Sequence, residues 1–152
     1  MLTVFLLLAT TFSAAADKPT PPVFKLTSAT EKDGFVTLTF QVTNPNPTPL
    51  PYLGYTSDSF DPKIPDGTIV PLHKVGLLQG KEWKEYKLAW CGTGIGPVTI
   101  PANGKVTFAA DVPIGEWAEI RIGLVWFVSA DEKDPQTAWT SAIDRKDVKK
   151  EK

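Results

Sequence analysis

Gly34-Phe35-Val36-Thr37-Leu38-Thr39-Phe40-Gln41-Val42-Thr43-Asn44 alternates without a break: Val36, Leu38, Phe40 and Val42 are apolar, and Thr37, Thr39, Gln41 and Thr43 between them are polar. Successive side chains of a strand point to opposite faces, so this pattern predicts a β-strand with one side in a core and the other in water. The preceding Glu31-Lys32-Asp33-Gly34 contains the Asp-Gly pair of a tight hairpin turn, and Val23 to Thr27 reads as a shorter partner strand. On the other side, Pro45, Pro47, Pro49 and Pro51 occupy every second position. Each removes a ladder donor and drives its predecessor into extended conformation, so Asn44 to Pro51 is expected to be a stiff connection and not a central strand.

Further along, Thr68 to Gln79 and Glu82 to Trp90 form a second expected hairpin around Gln79-Gly80-Lys81. Helix is the rival for the latter segment, because Trp83, Tyr86 and Trp90 are spaced three and four apart; its short length and the following Gly92 favour a strand. A third hairpin is expected from Val98 to Pro101 and Val106 to Val112, joined through Ala102-Asn103-Gly104, since Asn-Gly is a strong turn signal. Ala118 to Ser129 is apolar on both faces near its end and reads as a central strand, and Ala138 to Ile143 is a candidate last strand. Asp144 to Lys152 is almost wholly charged and reads as a disordered tail. About seven short strands at hairpin spacing, with no convincing helix, predict an all-β domain: an antiparallel two-sheet sandwich of immunoglobulin or fibronectin type III character. Closure into a small barrel is the alternative.

Leu2 to Phe12 is an apolar run too short to cross a bilayer, followed by Ser13-Ala14-Ala15-Ala16 and the charged Asp17-Lys18. This is the pattern of a signal peptide over residues 1–16, which places the domain at 17–143, the tail at 144–152, and the protein in the secreted or periplasmic space. No integral membrane segment is expected in the mature chain. Sixteen Lys+Arg against 17 Asp+Glu leave a net charge of −1, which disfavours a nucleic-acid partner. With one His and one Cys, blue copper, structural zinc and an intramolecular disulfide are excluded within one molecule, and no cofactor is implied. A monomer is expected.

Four constellations stand out. Trp90-Cys91-Gly92-Thr93-Gly94-Ile95-Gly96-Pro97 carries three alternate glycines, which allow a sharp turn or close backbone approach; it lacks the Lys-Ser/Thr and the helix that a phosphate loop needs. Its Cys91 reads first as a small buried hydrophobe, with intermolecular pairing or a nucleophile served by His73 as the alternatives. Asp58, Asp61 and Asp66 lie in a proline-stiffened loop whose spacing matches no EF-hand, so solvated Asx-turns are expected. The five tryptophans read mostly as core or cross-strand pairs, although exposed ones can stack on sugars. Tyr52, Tyr55 and Phe60 sit on the long connection Pro45 to Phe60 and, as rigid aromatic groups, suit an interface; with Trp90, Cys91 and Gly92 they form the expected binding site. The competing reading is that Tyr52 and Tyr55 cover the apolar outer face at Val125 and Phe127.

Phe40-Gln41-Val42-Thr43-Asn44-Pro45, Gly54-Tyr55, Trp90-Cys91-Gly92-Thr93-Gly94 and Pro101-Ala102-Asn103-Gly104-Lys105 resemble small uncharacterised exported bacterial β-sandwich proteins, over most of Thr39 to Trp126. That resemblance implies a fold and no activity. The Asn-Pro-Asn-Pro after a strand is locally similar to late-embryogenesis-abundant type 2 domains and to bacterial proteinase-inhibitor domains. The expected function is a non-catalytic exported module that recognises a protein or a glycan. Inhibition of a secreted or periplasmic protease through the stiff Asn44 to Pro51 loop is the alternative.

Overall fold

The computed structural model describes residues 18–89, 94–129, 131 and 133–150; the expected signal peptide lies outside them. The first hairpin forms as its sequence predicts, with β1 (Val23–Lys32) antiparallel to β2 (Phe35–Thr43). Asp33 and Gly34 turn it with φ of 48° and 86°, the left-handed pair that a tight turn between right-twisted strands requires. β1 runs well beyond the expected Thr27. A register shift between Leu26 and Ser28 breaks the alternation there, while Thr27 Oγ1 donates to Thr39 O at 3.0 Å; past the bulge Ala29 returns to the core.

The chain continues through β3 (Leu50–Tyr55), a short 3₁₀ turn at Ser57–Ser59, β4 (Thr68–Pro71), β5 (His73–Gln79) and β6 (Glu82–Tyr86). It then forms β7 (Ile95–Ile100), β8 (Lys105–Pro113), β9 (Glu119–Trp126), β10 (Gln136–Trp139), β11 (Ile143–Asp144), a second 3₁₀ turn at Arg145–Asp147 and β12 (Lys149–Lys150). The all-β expectation holds, and Glu82–Tyr86 is strand, not helix.

The arrangement differs from two sheets of about seven strands in total. All twelve described strands belong to one hydrogen-bonded sheet in the order β12-β1-β2-β8-β4-β3-β9-β5-β6, with β10 and β11 on β9 and β7 on β3. β4 is the link. Thr68 and Ile69 pair parallel with Thr107 and Phe108 of β8, whereas Val70 and Pro71 pair antiparallel with Tyr55 and Gly54 of β3. A four-residue strand shared between two neighbours joins what separate sheets would leave apart, and local alternation carries no trace of that long-range pairing.

The third expected hairpin is also corrected. The turn itself forms, with Gly104 N donating to Pro101 O at 2.9 Å and Asn103 at φ 51°. Yet β7 pairs with β3 from Leu50↔Ile100 to Tyr55↔Ile95, while β8 pairs with β2 and β4, so this turn carries the chain from one part of the sheet to another. Asn44 fastens the crossing. Its Nδ2 donates to Thr48 O, Ile100 O and Pro101 O at 2.8, 3.2 and 3.0 Å, and its Oδ1 accepts from Asn46 N and Nδ2 at 3.0 and 2.8 Å. The Asn44–Pro51 connection is therefore bent and clamped from within, and its last two residues already belong to β3.

The sheet curls over on itself. His73 in β5 and Phe108 in β8 are four strands apart in hydrogen-bonding order, roughly 19 Å on a flat sheet. Their rings are 5.2 Å apart, centroid to centroid. Between the facing parts lies one core: Val36, Leu38, Phe40 and Val42 from β2, Val106, Phe108, Ala110 and Val112 from β8, Val75 and Leu77 from β5, and Ile120, Ile122, Leu124 and Trp126 from β9. Phe40 and Phe108, in register across β2 and β8, stack at 5.7 Å. β9 is central as expected, with β5 and Tyr52 of β3 on one flank and β10 and β11 on the other.

Within the segment expected to be a disordered tail, residues 144–150 carry the end of β11, the second 3₁₀ turn and β12. Lys149 and Lys150 pair parallel with Thr30 and Glu31, Arg145 is ion-paired with Glu31, and its guanidinium lies 4.8 Å from the ring centroid of the buried Trp117. Composition reads this segment as solvated because its partners, Glu31 and Trp117, are remote in sequence. No helix among the described residues is long and apolar enough to cross a membrane.

Candidate functional site

Of the expected site residues, Trp90, Cys91 and Gly92 lie outside the described residues. Tyr52 is 3% exposed and pairs with Trp126 on the core side of β3; burial pushes its phenol up to about 12. It does not present a ring to a partner. Tyr55, half-buried at the end of β3, meets Phe60 edge-on at 5.5 Å, and Phe60 is exposed. Ser59 Oγ donates to Gly94 O at 3.1 Å, so the structure brings Tyr55, Phe60 and the chain at Gly94 to one corner. Beside them is a shallow cleft of about 310 Å³ whose lining includes Tyr55, Ile64, Asp66, Val98 and Lys105.

The candidate chemical groups are withdrawn or scattered. His73 rests on Phe108 with Nδ1 3.1 Å from Pro71 O, and desolvation holds its imidazole below the ordinary histidine range despite that carbonyl and the charge of Asp111. Asp58 pairs with Lys63 at 2.6 Å in full exposure. Among the described residues no group of three or more His, Cys, Asp or Glu could hold a metal ion.

The most developed surface feature is elsewhere, on the outer face of β6, β5, β9 and β10. In β9, Ile120, Ile122 and Leu124 face the core, so the intervening Arg121 and Gly123 face outward. Gly76 of β5 stands opposite Arg121, Trp83 of β6 opposite Leu78, and Trp139 of β10 opposite Gly123. From the two flanks of β9 the indoles converge on one cation: the Arg121 guanidinium carbon is 4.3 Å from the Trp83 ring centroid and 4.5 Å from that of Trp139.

The two glycines make this possible. An added Cβ at Gly76 would lie 3.0 Å from Arg121 Nε, and one at Gly123 would lie 2.9 Å from Trp139 Cε3, so both long side chains lie down on bare backbone. Arg121 Nε is covered and has no hydrogen-bond partner, and among the described residues no carboxylate is within ion-pair distance of the guanidinium, although Glu85 and Glu119 share the face. Trp83 and Trp139 stay half-buried, in contrast to the core residues Trp117 and Trp126.

The sequence pattern places these tryptophans mainly in the core and does not single out Arg121. The usable signal was Gly76 and Gly123, isolated glycines inside strands, which mark places where another group approaches the backbone closely. Searches of protein-family models, of curated proteins and of solved structures return no match for this chain.

Proposed function

We propose that the protein is a non-catalytic exported recognition module that binds its partner on the outer face of β6, β5, β9 and β10. The observation that supports this reading is the Trp83–Arg121–Trp139 stack: two partly exposed indoles locked at fixed separation by a cation. Rings held this way lose little entropy on association and offer polarised C–H-binding faces beside hydrogen-bond donors, which suits a glycan better than a flat protein epitope. The burial of the sole imidazole supports a role in binding and not in proton transfer.

The test is a fluorescence titration of the purified protein with a panel of oligosaccharides, alongside Trp83→Ala, Trp139→Ala and Phe60→Ala. Binding that disappears in both tryptophan variants and survives Phe60→Ala is the expected result. A ligand whose affinity ignores both tryptophans, or depends on Phe60, places the site at the Tyr55–Phe60 corner and overturns the assignment.

A further inference from the structure

Resting on that reading, we infer that the ligand is a carboxylate-bearing glycan whose acid group docks on the free edge of Arg121. The guanidinium has an indole on either side, so neither of its faces can take a ligand. Nε is covered, which leaves the two terminal nitrogens as its open donors. These are the atoms that form the paired, parallel hydrogen bonds of an arginine–carboxylate fork.

Among the described residues no acid fills that role. Glu31, Asp58 and Asp144 pair with Arg145, Lys63 and Lys146, whereas Glu85 and Glu119, the carboxylates nearest to Arg121 in register, stand off it. A partly buried cation without a counter-ion favours an incoming anion. The slot also selects the anion's shape. A carboxylate prolongs the plane of the guanidinium between the two rings, while a tetrahedral sulfate or phosphate carries oxygens out of that plane toward the indoles. The sugar ring attached to the carboxylate would then lie over the outer edges of Trp83 and Trp139, where its C–H groups meet the indole π-faces.

Calorimetric titration of the purified protein with oligogalacturonate and with its methyl ester tests this directly, because the two share a backbone and differ in the acid group. We expect the ester to bind at least about tenfold more weakly, as loss of a charge-assisted bidentate pair requires. Arg121→Gln should lower affinity for the acid to that of the ester, and Arg121→Lys should not restore it, since a lysine cannot form the fork. Near-ultraviolet circular dichroism of each variant checks that the fold is kept. Should Arg121→Gln disturb it, the acid–ester comparison on the unaltered protein still decides. Equal binding of acid and ester, stronger binding of a sulfated heparin oligosaccharide, or preference for a polyglutamate peptide each overturns the inference while leaving a recognition module. Failure of every sugar and peptide to bind overturns the recognition reading as well.

Discussion

Gly123 stands opposite Trp139 across β9 and β10, and the indole takes the space that a side chain at 123 would need. An added Cβ would also come within 2.7 Å of Thr137 Cγ2. Gly123→Ala must therefore push Trp139 off Arg121 or spread the strands, and a cost of about 1–3 kcal/mol is expected, as for other overpacked sites. Chemical denaturation reads the stability, and tryptophan emission reads the displaced ring. An unchanged midpoint with unchanged emission contradicts the packing described.

Tyr52 separates packing from binding. Its burial against the core predicts that Tyr52→Ala costs about 3–5 kcal/mol, the range for removing a large buried ring, whereas Tyr52→Phe keeps the ring and costs far less. The folded pKa of about 12 lies above the unfolded value of 10.0, so the contribution is full below pH 10 and is lost as pH rises toward 12. Ultraviolet titration of the phenols should show one tyrosine ionising late, and that late step should vanish in Tyr52→Phe.

His73 sets a second pH dependence. Desolvation lowers its folded pKa below the unfolded 6.5, so below that value the unfolded chain binds more protons than the folded one. Stability is therefore expected to fall as pH drops from about 6.5 toward the lowered folded value, a window in which no other histidine titrates. Denaturation midpoints at pH 7.5 and 5.5 measure it. The difference should shrink in His73→Phe, and a protein that grows more stable on acidification refutes the sign.

Asn44 holds the crossing between β7 and β8 with five side-chain hydrogen bonds while itself fully buried. Asn44→Ala strands buried carbonyls and is expected to cost about 2–3 kcal/mol. Asn44→Asp preserves the shape but sets a carboxylate against three carbonyl oxygens, and it should be at least as damaging near neutral pH. Thermal melts of both variants give the comparison.

Arg145 is the measure of the C-terminal segment. Its ion pair with Glu31 is only partly exposed and it stacks on Trp117, so Arg145→Ala is expected to cost about 1–2 kcal/mol, more than a surface charge would. Slow hydrogen exchange at whichever of the Lys149 and Lys150 amides faces β1 would accompany this pairing, since successive N–H groups of a strand point to opposite edges. Rapid exchange there, together with a neutral substitution, would return the segment to the solvated tail its composition suggests.

The strands of this protein are written in their local order of residues. Val36 to Val42 alternate, Asp33-Gly34 turns the chain, and Ile120 to Trp126 announces a central strand, because period-two burial and turn chemistry act over a few residues and need no partner to be recognised. Which strands meet is a different matter. The split pairing of β4, the loss of the β7–β8 hairpin to β3, and the pairing of Lys149 with Thr30 all join residues far apart in the chain, and they are settled by Asn44, by the Phe40–Phe108–His73 contacts and by the Arg145–Glu31 pair. The candidate site follows the same division. Trp83, Arg121 and Trp139 are individually ordinary residues at outward positions of three strands, and only the neighbour order β6-β5-β9-β10, over two glycines, sets two indoles around one guanidinium. Local periodicity decides which face a side chain takes; the free energy of closing one shared core decides which side chains share that face.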